Sequence, residues 1–110
     1  MANVIKLVQG DTKPSLVVTL KDQSSSIPLN LTGVTPALKF RESGATTLIG
    51  IVPGAVVDIV GGIVVFHWTA VPNILDVPAG NYEGEIELTY ADGSVQTVFD
   101  ALYFYIREQF

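Results

Sequence analysis

The residues of this chain with the most evident capacity for chemistry are a single histidine, His67, and a row of glutamates, Glu83, Glu85 and Glu87. An imidazole beside a carboxylate can move a proton or hold a metal, and Asp58 falls diagonal to His67 if the two lie on paired strands. A zinc site needs a tetrahedral set of nitrogen, sulfur or carboxylate ligands, and there is no second histidine and no cysteine to complete one. The chain carries neither a Gly-x-Ser-x-Gly elbow nor a phosphate-cradling glycine loop. His67 therefore reads as a surface histidine. The three glutamates alternate along a strand, which spaces neighbours about 6.5–7 Å apart in an outward row. Such a row is a solvated face, whereas calcium needs oxygens converging from several directions. Basic residues on a neighbouring strand or a partner would relieve its repulsion. The expectation is no catalytic site, no metal and no cofactor.

Aromatic side chains offer a third kind of chemistry, stacking against sugar rings. Trp68 and Tyr82 fall on core-facing positions, and only Tyr103 and Tyr105 fall outward. A carbohydrate-binding surface is thus an alternative carried by two residues, since fold alone is no warrant for function.

The elements that must position these residues are strands. Hydrophobic residues make up 48% of the 110 and charged residues 15%, a balance that excludes disorder. The length suits one domain, expected to span residues 1–110. The longest apolar stretches are broken by Gly and Pro, so no membrane-spanning helix is expected. The N-terminal stretch lacks the basic-then-apolar pattern of a signal peptide, and synthesis in a cytoplasm is the expectation. The net charge of −5 favours solubility, and the scattered basic residues make no footprint for nucleic acid.

Period-two alternation runs through Leu16–Lys21, Thr35–Arg41, Ala55–Trp68 and Tyr82–Ile106. Pro28–Gly33 reads as a short edge strand, and Pro36 as an edge or bulge at the start of its strand. Helix is limited to a turn or two within Val71–Asp76. A two-residue turn at Gly61-Gly62 pairs Val60 with Ile63 and Val57 with Phe66. That register puts Ala55, Val57, Ile59, Val64, Phe66 and Trp68 on the core face. Val56, Asp58, Val60, Ile63, Val65 and His67 then form the outer face. A second turn at Asp92-Gly93 sets Val95, Thr97 and Phe99 opposite Tyr90, Leu88 and Ile86. A bulge near Asp100-Ala101 would keep Glu85 from facing Asp100 and turn Leu102, Phe104 and Ile106 inward. Seven or eight strands with these turn signals predict an immunoglobulin-like antiparallel β-sandwich. Gly80 and Tyr82, just before a long alternating strand, have the form of a tyrosine corner bonding back to the loop around Ile74–Pro78.

Several of these stretches together resemble a known family. They are Gly10-Asp-Thr-Lys-Pro-Ser-Leu-Val-Val-Thr-Leu-Lys-Asp22, Leu29-Asn-Leu-Thr-Gly33 and the strand through Leu38-Lys-Phe-Arg41. Ala79-Gly-Asn-Tyr-Glu-Gly-Glu-Ile-Glu-Leu-Thr-Tyr-Ala-Asp-Gly-Ser-Val-Gln-Thr97 and the closing Leu102-Tyr-Phe-Tyr-Ile106 complete the pattern. This is similar to tailed-bacteriophage immunoglobulin-like virion proteins, in particular the N-terminal domain of the phage baseplate upper protein family. The resemblance covers nearly the whole chain. It implies a virion protein that binds other virion proteins in the tail, baseplate, fibre attachment or neck, with no turnover. The chain stops at Phe110, directly after the last strand, so a small adaptor or capsid-decorating subunit is expected rather than a longer receptor-presenting protein.

The aliphatic outer face of the 55–68 hairpin is the expected contact surface, with Tyr103 and Tyr105 as further interface candidates. Exposed apolar patches of this kind mark interfaces unless the chain covers them itself. Val4, Ile5, Leu7 and Val8 are the segment able to do so, and both arrangements remain open at the level of sequence. The partners expected are other virion proteins and copies of this chain, without nucleic acid or membrane.

Overall fold

The computed structural model describes residues 4–22, 24–98 and 100–110. Among these residues eight strands form in chain order: β1 (Val4–Val8), β2 (Leu16–Thr19), β3 (Thr35–Glu42), β4 (Gly50–Asp58), β5 (Ile63–Phe66), β6 (Gly80–Thr89), β7 (Val95–Thr97) and β8 (Leu102–Arg107). Among the described residues one 3-10 turn, Trp68–Ala70, follows β5. Among the described residues no helix is long and apolar enough to cross a membrane. Hydrogen-bonded neighbours run β1-β8-β6-β3-β4-β5-β2, with β7 beside β6. This path curls into a sandwich because β4 belongs to both layers. Its first half pairs with β3, ending at Ala37↔Pro53, and its second half pairs with β5, starting at Gly54↔Phe66.

The corner at Pro53-Gly54 has a steric cause. A Cβ on Gly54 would stand 2.5 Å from the Phe66 ring and 3.1 Å from Pro36, so only glycine lets the strand cross between them. Pro36 sits just past the end of the β3–β4 pairing and pairs only with Leu88 of β6, so it lies at a local edge, as expected. A proline is tolerated there because β4 has already left that flank.

The fold is the immunoglobulin-like sandwich predicted from the alternation, with one difference. β1 and β8 pair in parallel, Val4↔Tyr103 through Val8↔Arg107, so the sheet is mixed rather than wholly antiparallel. Parallel neighbours need a long crossover, and here nearly the whole chain supplies it.

Both hairpins turn where expected but in different registers. At the first, the Asp58 carboxylate accepts the Gly61 N–H at 2.9 Å and the Ile59 carbonyl accepts from Leu31, which draws Ile59 and Val60 into the loop. Asp58 therefore faces Ile63, and a bulge at Val57 brings Val56 opposite Val64. At the second, the Tyr90 carbonyl accepts from Gly93 and Tyr90 donates to Ser94, a three-residue loop closed by Gly93 at φ 88°. The register moves by one, to Thr89↔Val95. Between Thr97 and Leu102 it shifts again, where the bulge was expected, and Phe104 and Ile106 turn inward. Phe99 lies outside the described residues. Pro28–Gly33 forms no strand, only a Lys21↔Pro28 bridge, because Leu31 bonds across to the β4–β5 loop instead.

The core lies between the layers. Leu38, Phe40, Val52, Ile86, Leu88 and Phe104 face Leu16, Leu20, Val64 and Phe66. At its centre Phe40 stacks on Tyr82 at 5.5 Å and meets Trp68 and Phe104 edge-on at 5.7 and 5.4 Å. Each such ring pair adds about 0.5–1.5 kcal/mol beyond the area it buries.

Candidate functional surface

The outer face of the β4–β5–β2 layer is built by three aligned strands. Ala55, Val65 and Val17 stand in one row across it, and Ile63 beside Thr19 in the next. Val17 is 62% exposed and the bulged Val57 61%. Ile59 and Val60 extend the patch into the turn, Val60 at 77% exposure. Of the residues expected on this face, Ile63 and Val65 are half-exposed on it, Asp58 and His67 lie at its margins, and Val60 caps it. Val56 is a correction. The bulge at Val57 turns Val56 inward, where it packs against the core, and leaves Ala55, Val57 and Ile59 outside. The predicted faces of β5 are as observed, while those of β4 are displaced by one residue. Val17 was visible as part of an alternating strand, but an all-aliphatic Leu-Val-Val does not reveal which side faces out.

β1 does not cover this face. It runs along β8 at the opposite edge of the other layer, with Leu7 in the core. Within the described residues the patch has no lid.

The structure separates His67 from Asp58. Asp58 pairs with Ile63, four residues along β5 from His67, which is about 13 Å of strand. Instead His67 Nδ1 lies 2.8 Å from Ser15 Oγ at the start of β2. Serine and histidine in contact invite comparison with a nucleophile and its base. Catalysis of that kind also needs a third group to orient the ring and donors for an oxyanion, and no described residue bonds to His67 Nε2. The bond ties β2 to β5 at the margin of the apolar face. No cluster of three or more metal-ligating side chains forms among the described residues.

The outer face of the other layer is polar. Glu83, Glu85 and Glu87 on β6 stand opposite Arg41, Lys39 and Ala37 on β3. Lys39 reaches diagonally to Glu87 at 2.8 Å, and Arg41 contacts Glu83 at 3.4 Å. The Glu87 carboxylate holds the Lys39 ammonium above its ordinary range. Glu83 is held below the usual carboxylate range, first by the Gly44 N–H at 2.9 Å and also by Arg41. Two of the three carboxylates thus have an ion pair with the neighbouring strand. Beyond it, Tyr103 and Tyr105 are exposed on β8, opposite Glu83 and Asn81, with Val4 and Lys6 on their other side.

Tyr82 is 2% exposed and its hydroxyl donates to the Pro78 carbonyl at 2.5 Å. Gly80, at φ 152°, makes the turn between them. Burial, and then the Glu42 charge, push the Tyr82 phenol above its ordinary value.

No protein-family model matches the chain, and no curated protein matches it. Among solved structures it is similar to the N-terminal domain of phage TP901-1 ORF48, at 17% identity and a TM-score of 0.60, over 98% of this chain and 86% of that one. It is also similar to CopC from Methylosinus trichosporium OB3b, at 9% identity and a TM-score of 0.50, over 96% of this chain and 87% of that one. At these identities the likeness is one of fold.

Proposed function

We propose that this chain is a non-enzymatic structural or adaptor component of a bacteriophage virion, acting through protein–protein contacts. The observation that carries the reading is the uncovered apolar face of β4, β5 and β2. Covering four aliphatic side chains there is worth several kcal/mol at roughly 25 cal/mol per Å², before the costs of association. Asp58 and His67 at its margins supply a polar rim that orients more than it attracts. The fold shared with a phage domain, and the family resemblance of the sequence, support a virion setting. On this reading the protein is made in the host cytoplasm and ends in the particle, bound to other virion proteins and to copies of itself.

The test is incorporation. Val65→Lys and Ile63→Glu place charge on the outer face without touching the core. Both variants should fold, as judged by the emission of the buried Trp68, and both should be missing from purified particles. Normal incorporation of either folded variant refutes this face as the contact.

A second reading, glycan binding, rests on the exposed Tyr103 and Tyr105. Binding to an oligosaccharide array that is lost in Tyr103→Ala and Tyr105→Ala, with particle incorporation intact, would favour it.

A further inference from the structure

β2 is a sheet edge, and its pairing with β5 fixes which backbone groups that edge offers. Leu20 N–H donates to the Gly62 carbonyl at 2.7 Å, and the pairs Val18↔Val64 and Leu16↔Phe66 continue the same register. Even-numbered residues therefore bond toward β5, and the N–H and C=O of Val17 and Thr19 point away from the sheet. No described residue bonds to them. Natural edges are blunted by charge, proline or a bulge. Between Ser15 and Leu20 there is none of these.

The space beside this edge is also open. The β1-β8-β6-β3-β4 layer is wider than the β4-β5-β2 layer beneath it. Val18 and Leu20 face Ile86, Val98 and Leu102 across a cleft on the open side. Val18, Val98 and Leu102 are only partly buried there. Exposed Lys13 and Lys21 stand at the two ends of the edge, and neither forms an ion pair among the described residues. Asp22 and Asp100 line the cleft beside Lys21, so the uncompensated positive charge lies at the Lys13 end.

We propose that the free edge of β2 receives one extended strand donated by another polypeptide, apolar at alternate positions and acidic at the end beside Lys13. The offered groups repeat every second residue, about 6.5–7 Å apart, a spacing that only an extended chain matches. Every second side chain of the incoming strand enters the cleft, which sets its alternation. Lys13 sets the charge of one end, whereas Asp22 and Asp100 flank Lys21 at the other, in a protein whose net charge of −5 repels acidic partners elsewhere. The donor is a single strand rather than β2 of a second copy. Symmetric β2–β2 pairing would bring both wide layers onto the same side of one joined sheet, where their overhangs collide. The proposal rests on the assembly reading and names the chemistry of one partner.

The test uses the whole, isotope-labelled chain and a short synthetic peptide of alternating valine and threonine with glutamates at one end. Amide exchange followed by NMR should slow at Val17 and Thr19 by at least about tenfold on peptide saturation. Val17→Pro removes an outward N–H without removing a bond to β5 and should abolish that protection. If this variant fails to fold, Lys13→Glu decides, weakening peptide binding at least about fivefold while leaving the fold intact. Three results would overturn the proposal: no protection, equal binding of a lysine-ended peptide, or protection confined to other edges. Protection of Val17 and Thr19 that rises with protein concentration alone would assign the edge to a second copy, and also overturns it. Incorporation of the outer-face variants is a separate measurement, so failure of strand capture leaves the assembly reading to stand or fall by itself.

Discussion

Tyr82→Phe deletes one oxygen and leaves the buried ring, so it isolates the bond to Pro78. A net hydrogen bond contributes about 0.5–1.5 kcal/mol, and the cost rises toward 3 when a partner is left buried and unsatisfied. Pro78 is exposed, so water can replace the lost donor at its carbonyl. The 2.5 Å separation is at the short end for O–H···O, which argues against the bottom of the range. The expected loss is about 1 kcal/mol, or roughly 4–6 °C in Tm for a chain of this size. Urea unfolding followed by Trp68 emission reads it directly, because the single tryptophan is buried and its environment changes on unfolding. The m-value should not change, since the surface exposed is the same. Alkaline pH supplies an internal control. The folded phenol titrates above its unfolded value, so native Tyr82 contributes stability that is full below about pH 10 and lost as pH rises through the folded pKa. The phenylalanine variant lacks that titration, and its deficit should shrink above pH 10. No change in stability, or a deficit that grows with alkalinity, would refute the account.

Gly54→Ala forces a methyl group into the Phe66 ring at the corner of β4 and should destabilise by about 2–3 kcal/mol in the same assay, as overpacking does. Glu87→Gln breaks a solvent-screened ion pair with Lys39 and should lower stability only slightly, with the difference vanishing in high salt. Glu83 titrates below its unfolded value, so its stabilisation is present above the unfolded carboxylate pKa and lost as pH falls through the folded one. Glu83→Gln should therefore flatten the acid limb of stability against pH, and acid titrations of the two proteins compared side by side would show it.

The strands were legible where polar and apolar residues alternate strictly. The glutamates of β6 could only face out, so Tyr82, Ile86 and Leu88 could only face in. The same logic failed on β4, where Ala55, Val56 and Val57 are all apolar and periodicity cannot choose a side. There the register was decided by Asp58, whose carboxylate takes a turn N–H and ends the pairing early. A one-residue bulge then exchanged the two faces. The parallel placement of β1 was hidden for another reason. It depends on a partner at the far end of the chain, and no local pattern carries that information.

The parallel alignment of β1 with β8 has a mechanical consequence. Val4 starts one strand and Arg107 ends the other, at opposite ends of their shared ladder. Tension applied through the flanking segments pulls the two strands in opposite directions along their length. Every bond of the ladder is then strained at once, whereas strands pulled from the same end would peel apart bond by bond. A domain wired this way resists stretching along the sandwich axis out of proportion to its thermodynamic stability. Such a domain can transmit force between whatever is attached at its two ends without unravelling.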